Sequence, residues 1–490
     1  MKNPHHFIRI LQSLTGVTIV AFALFIGTHV SQKNDTQKPA APAQTLPKVP
    51  RAKTVLVANY AQSLNNGDIA LSNGDFEDAL ELYQKAAEVA PKEYLPYEKI
   101  GDLQLIQKQY VVASQSFGVA RALKPLNPAL TIKHVRSLLG ERKIAEAKTE
   151  LKTITPTTQA SLYYQALIAA FSSDSKGAKV LLAESLKSGN DENIKMSAQK
   201  ILTVYRDFDL AREGPAEYFQ AMLAAAFDEV GENGLAIETG FAAVKTKPDY
   251  RDAWITIGHA FLNEHRWLDA EAGFTKALEL DAGHPTSLFF RGIARSFLTK
   301  YPEAVSDFTE ALHYGFKPHI VVKQYLADAY FNMHENAKAY PLYKEVALGD
   351  PSDINRFVRP MALAINELKL PFEAAELAQK AYAAHPETAM SYNLLGWAAL
   401  ANHQNAKARD YLHAAIAKDP ELSAAHLNLG QLAEAEGARS QALQYYDTAR
   451  RLAEKNHTMP IGEAASMRYN ELKNTPSVES TRPIPSLNLN

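Results

Sequence analysis

Between Tyr60 and Glu454, small and large apolar residues recur in a register that repeats every 34 residues. Glycines mark the step as pairs, Gly67 with Gly101, Gly258 with Gly292 and Gly396 with Gly430, and Ala236, Ala270 and Ala304 keep the same beat. Within one period the large residues follow helical spacing, as in Trp254, Ile257 and Phe261, with Phe274 after Ala270. The pattern predicts two antiparallel helices per period. Small residues let the helices approach closely, and large ones fill the space on either side. Lys247-Pro248, Asp350-Pro351, His385-Pro386 and Asp419-Pro420 each stop a second helix, because proline cannot continue it. A period of this length is that of a helix-turn-helix repeat, and each repeat contacts its neighbours. The expected fold is therefore all-α, a solenoid with an extended concave surface.

The register divides the chain. Residues 54–190 hold about four repeats, two of them degenerate and marked by Ala147, Leu151, Ala178 and Leu182. Residues 191–216 break the beat, and Ile194, Ile201, Leu202 and Tyr205 predict an extra helix at this junction. About seven repeats follow over 217–454, starting near Glu217, Arg251, Pro285, Ile320, Asn355, Ala389 and Ser423. Residues 455–490 read as a capping helix, Gly462 to Leu472, and a disordered tail rich in Pro and Ser.

Ahead of the array, Ile10 to Val30 contains no Lys, Arg, Asp or Glu, and 21 residues of helix span a bilayer core of about 30 Å. Residues 1–31 therefore read as a cytoplasmic stub and an uncleaved transmembrane signal anchor, since no small-x-small cleavage site follows the apolar run. Residues 32–53, with Pro39, Pro42, Pro47 and Pro50, read as a Pro/Ala-rich tether. Lys2 and Arg9 before the span balance Lys33 and Lys38 after it. Orientation then rests on the signal-like start and the absence of cysteine, which favour a repeat body on the exported side of the inner membrane.

The repeats resemble the tetratricopeptide repeat family over roughly Tyr60 to Glu454. Counting from Arg251, the family's positions 4, 7, 8, 11, 20, 24 and 27 are Trp254, Ile257, Gly258, Phe261, Ala270, Phe274 and Ala277. The same register supplies Tyr97, Ile100, Gly101, Ala113, Phe117, Ala120 and Pro125 from Tyr94, and Tyr392, Leu395, Gly396, Ala408, Leu412, Ala415 and Pro420 from Ala389. The resemblance implies a right-handed superhelix whose first helices line the concave side with positions 2, 5, 9 and 12. On that basis the partner-binding groove would comprise Asp252, Ile255, His259, Phe289, Gln324, Asp328, Arg356, Arg359, Asn393, Trp397, Leu427 and Gln431. Asp68, Glu98 and Asp102 would make the first two repeats acidic. Arg356 and Arg359, three residues apart on one helix, with Asn393 and Trp397 on the next, would form a hot spot for an acidic or C-terminal peptide. Asn393 and Asn428 fall where some family members clamp a terminal carboxylate, but the lysines of that clamp are missing.

Composition narrows the chemistry. A net charge of −2 without basic clusters gives no footprint for nucleic acid, and zero cysteines exclude disulfides and thiolate chemistry. Fifteen histidines include no His-Glu-x-x-His pair, and no phosphate loop or nucleophile elbow is present. The chain is expected to be a scaffold without cofactor or metal, and not an enzyme. Its partner would be a protein or peptide in envelope assembly or secretion. The alternative is an adaptor of an envelope polysaccharide machine, with a glycan in the groove.

Overall fold

The computed structural model describes residues 51–210, 214–456 and 458–474. The apolar run from Ile10 to Val30, most of the 32–53 tether and the tail from residue 475 lie outside them. Among the described residues no helix is long and apolar enough to cross a membrane. The first helix begins at Arg51, so the last three residues read as tether are already helical.

Described residues form 24 α-helices with one 3₁₀ and one π turn, and no strand. They divide into two compact lobes, Met1–Leu280 and Asp281–Asn490. The first lobe contains α1 (Arg51–Asn73), α2 (Phe76–Val89), α3 (Leu95–Ile106), α4 (Tyr110–Leu123), α5 (Pro128–Gly140), α6 (Ile144–Leu151), α7 (Gln159–Phe171) and α8 (Ser175–Lys187). It continues through α9 (Glu192–Leu210), α10 (Ala216–Glu229), α11 (Asn233–Thr246), α12 (Arg251–Asn263) and α13 (Trp267–Leu280). The second lobe runs from α14 (Pro285–Phe297) and α15 (Tyr301–His313) to α16 (His319–Asn332) and α17 (Asn336–Gly349). A broken helix with α18 (Val358–Ala362) follows, then α19 (Pro371–Ala384), α20 (Ala389–Ala401), α21 (Asn405–Lys418), α22 (Ser423–Ala435), α23 (Arg439–Lys455) and α24 (Met459–Asn474). The extra helix expected in 191–216 is α9, and it lies within the first lobe. The cap expected at Gly462 to Leu472 is α24.

Packing follows the sequence register. Gly258 faces the Phe274 ring, and a Cβ on Gly273 would stand 2.9 Å from the Gly258 backbone, so these helices meet main chain to main chain. Ala253, Ala270, Phe274 and Ala277 are fully buried at that seam. The turn after each first helix is equally regular. Gly74, Lys108, Arg142, Ser173, Gly231, His265, Thr299, His334, Lys369, His403 and Gly437 all have positive φ there. A six-to-one backbone bond closes ten of these turns, as from Gln109 to Gln104 at 2.8 Å and from Gln404 to Ala399 at 2.9 Å, while at Lys369 the Leu370 N–H reaches one residue further back, to the Ala364 carbonyl at 2.7 Å. These eleven turns fix eleven repeats, and three of the histidines are explained as turn residues.

One repeat departs from regular geometry. Pro360 has no N–H for the preceding turn, and the helix that should span the Asn355 repeat breaks into a 3₁₀ turn (Ile354–Phe357), α18 and a π turn (Leu363–Glu367). The widened turn shows in the bond from Leu368 N–H to the Leu363 carbonyl, 2.9 Å. Arg356 and Arg359 therefore do not share one face of one helix, contrary to the expectation from their spacing.

Within the first lobe, α5 returns against α11. A Cβ on Gly234 would lie 2.1 Å from the Leu139 carbonyl oxygen, so only glycine admits this approach. Arg142 pairs with Glu238 at 3.6 Å beside it.

Candidate binding grooves

In the second lobe, Gln324 and Asp328 lie one turn apart on α16. Asp328 accepts hydrogen bonds from the Tyr343 hydroxyl of α17 at 2.5 Å and from the Gln324 amide at 3.2 Å. Burial pushes the Asp328 carboxyl up, against the pull of Tyr343, Gln324 and Arg359. The Arg359 guanidinium stands 4.6 Å from the Phe331 ring centre and 5.6 Å from that of Tyr343. Arg359 is exposed. The structure thus gathers three residues singled out from sequence, Gln324, Asp328 and Arg359, and adds an aromatic platform, Phe331 and Tyr343, that sequence reading assigned no role in the groove.

The other expected groove residues are placed differently. Arg356 is held by the Asp350 carboxylate and by its carbonyl at 3.1 Å, which separates it from Arg359. Asn393 is buried, its Oδ1 accepting from the Asn428 amide at 2.9 Å and its own amide directed at the Met390 sulfur at 3.8 Å. Trp397 is half-buried against the core that includes Leu377, Leu394 and Ala398. Leu427 and Gln431 are half-buried on α22. On α12, Ile255 is in the core and Asp252 pairs with Arg251 at 2.7 Å. His259 is buried with its Nδ1 at 2.5 Å from Asp228, and the carboxylate holds the imidazole above its usual range despite burial. Phe289 is fully buried. Ile255, His259, Phe289 and Asn393 are thus closed inside the packing rather than presented to a partner.

A second site lies in the first lobe, between the three acids of its first two repeats and the α12 residues, where the sequence pointed to no groove residue. Those acids are neutralised: Asp68 pairs with Lys99 at 2.8 Å, and Lys133 bridges Glu98 and Asp102 at 2.7 Å each. Beyond them, α5, α7 and the start of α9 wall a cavity of 780 Å³ whose far side is the Val230–Glu232 turn. That volume is within the range of ordinary ligand pockets, about 300–1,000 Å³. Arg136 is open to the cavity and Glu232 is half-buried at its wall. Tyr163 and Tyr164 pack edge to face, with ring centres 5.2 Å apart. Burial raises the Glu232 carboxyl, while Arg136 and the Tyr164 hydroxyl pull it back. Counted from its turn residue Arg142, the repeat places Arg136 at position 9, the groove position occupied by Asp68, Asp102 and Asp328 elsewhere. Val135 replaces the usual small residue at position 8, which is why this repeat read as degenerate.

Residues 64–128 and 393–457 match the model of the tetratricopeptide repeat family. The helix pairs described above thus form an all-helical, TPR-like solenoid, and proteins of that repeat family generally mediate protein–protein interaction. Among solved structures the chain is similar to YrrB, a TPR protein with an unusual peptide-binding site, at 17% identity over 47% of this chain and 97% of that one, TM-score 0.28. It is also similar to yeast Tom70, at 16% identity over 87% and 98%, TM-score 0.30. A third likeness is to the APC/C hetero-tetramer Cut9-Hcn1, at 12% identity over 86% and 98%, TM-score 0.33. No curated protein matches the chain.

Proposed function

We propose that the chain is a membrane-anchored interaction scaffold whose repeats hold a partner protein or peptide against their first helices. The observation that carries this reading is Arg359, an exposed guanidinium seated over Phe331 and Tyr343 beside Gln324 and Asp328. Arginine and aromatic side chains in contact are the usual composition of an interface hot spot, and an acidic side chain or terminus on the partner would complete it. A photo-reactive residue replacing Gln324 should crosslink the native partner, while the same residue at the exposed Lys380 of α19 should not. Arg359→Ala should reduce the adduct at least tenfold without moving the melting temperature. Equal crosslinking from both positions would remove the groove from the mechanism.

Anchoring and export are supported by the uncharged run Ile10 to Val30 and by the cysteine-free body. An envelope assembly or secretion complex suits that topology. A polysaccharide adaptor would share it, but a groove centred on a cation over aromatics favours an anionic peptide. A reporter active only after export, fused behind Asn490, should be active. Activity of its cytoplasmic counterpart instead would overturn the topology.

A further inference from the structure

The charged groups of the first-lobe cavity fall into two sets. Lys133 is committed to Glu98 and Asp102, and Asp191 accepts from the backbone N–H groups of Asn193 at 3.0 Å and Ile194 at 3.2 Å as it caps α9. Arg136 and Glu232 are different. Among the described residues Arg136 takes part in no ion pair or hydrogen bond, and Glu232 has no ion-pair partner and interacts by hydrogen bonding with Tyr164. Both line the cavity, one on α5 and the other on the turn before α11, and they attract one another, with Lys108 also pulling on Glu232. A guanidinium has five donors in a fixed fork, and those of the exposed Arg136, uncommitted within the protein, are all available to a ligand's acceptors. Ile132, Ile194 and Val230 line the same cavity and offer apolar contact to the body of a ligand.

We propose that this cavity binds a short peptide segment carrying one acidic and one basic side chain, the carboxylate on Arg136 and the ammonium or guanidinium on Glu232. A doubly charged anion such as a phosphate would meet Glu232 as a like charge, whereas a segment with both signs satisfies both groups at once. The volume accommodates several residues, more than a single amino acid needs. The proposal rests on the reading of this protein as a peptide-binding scaffold, yet uses a site in the other lobe from Arg359.

The test uses the full-length chain and blocked pentapeptides in titration calorimetry. Acetyl-Ala-Glu-Ala-Lys-Ala-amide should bind at least tenfold more tightly than the analogues with Gln in place of either Glu or Lys. Arg136→Gln should abolish the benefit of the Glu, and Glu232→Gln that of the Lys, each with an unchanged melting temperature. Arg136→Glu combined with Glu232→Arg should recover binding, because the ligand can reverse. Equal affinity for all three peptides, or indifference to both single variants, would overturn the proposal. Free glutamate or lysine competing as well as the peptide would overturn the choice of a peptide. Crosslinking from Gln324 that persists when these titrations fail would leave the scaffold reading intact and remove only this site.

Discussion

Asp307→Ala is expected to cost about 3–5 kcal/mol of stability. Asp307 is 1% exposed and accepts from Arg291 Nε at 3.0 Å, from Arg291 Nη2 at 2.7 Å and from Arg295 Nη1 at 2.9 Å. Arg291 and Arg295 occupy positions 7 and 11 of the Pro285 repeat, where the preceding repeat places Ile257 and Phe261. An apolar seam has been exchanged for a charged triad. Removing the carboxylate leaves two largely buried guanidiniums facing each other without the acceptor they share, whereas replacing all three residues by apolar ones of similar volume should cost little. Denaturant midpoints of the single and triple variants separate the two effects. A loss below about 1 kcal/mol for Asp307→Ala would mean that water supplies what the carboxylate provides.

Glu264→Gln should stabilise the protein at pH 8 by about 3 kcal/mol and much less at pH 5. Glu264 is buried, its Oε1 has no hydrogen-bond partner, and burial pushes its carboxyl up to about 7 despite Arg266, Arg142 and Lys108 nearby. An unfolded glutamate titrates near 4.3. Between those values the folded state keeps a proton that the unfolded state has released, so stability is highest below the lower value and falls as pH rises to the upper one. Glutamine carries no such charge and removes the slope. Melting curves across pH 5–8 for both proteins would measure it. Parallel curves would show that Glu264 ionises as freely folded as unfolded.

The repeat register was legible because a single steric rule generates it: Gly258 must be small where Phe274 is large. Pro360 was visible in the sequence, yet its effect on the Arg356–Arg359 spacing was not, because a helix can absorb proline by kinking, by ending or, as here, by a 3₁₀ turn in the residues before it. Arg136 escaped notice because Val135 replaces the small residue that would have set the count. The Tyr343 contact did leave a signal. Where position 24 is Tyr rather than Phe, its hydroxyl reaches an acid on the first helix of the same repeat, as Tyr343 does to Asp328 and Tyr83 to Asp68 at 2.7 Å. The buried histidine was not legible. His259 lies on the expected groove face, but Asp228, from the preceding repeat, draws it inward.

The approach of Leu139 to Gly234 alters how the first lobe can come apart. A chain whose repeats touch only their neighbours can peel from one end, each step exposing one seam. Here α5 is fastened to α11, so the helices between them form a closed circuit in which none can detach without breaking two seams. The cavity holding Arg136 lies inside that circuit. Amide exchange across α5 to α11 should therefore slow to one common rate, while α1 and α2 fray independently. A force applied through the N-terminus would unravel the first repeats and then stop at this clasp, leaving the cavity whole under a load that had already unfolded the segment leading to it.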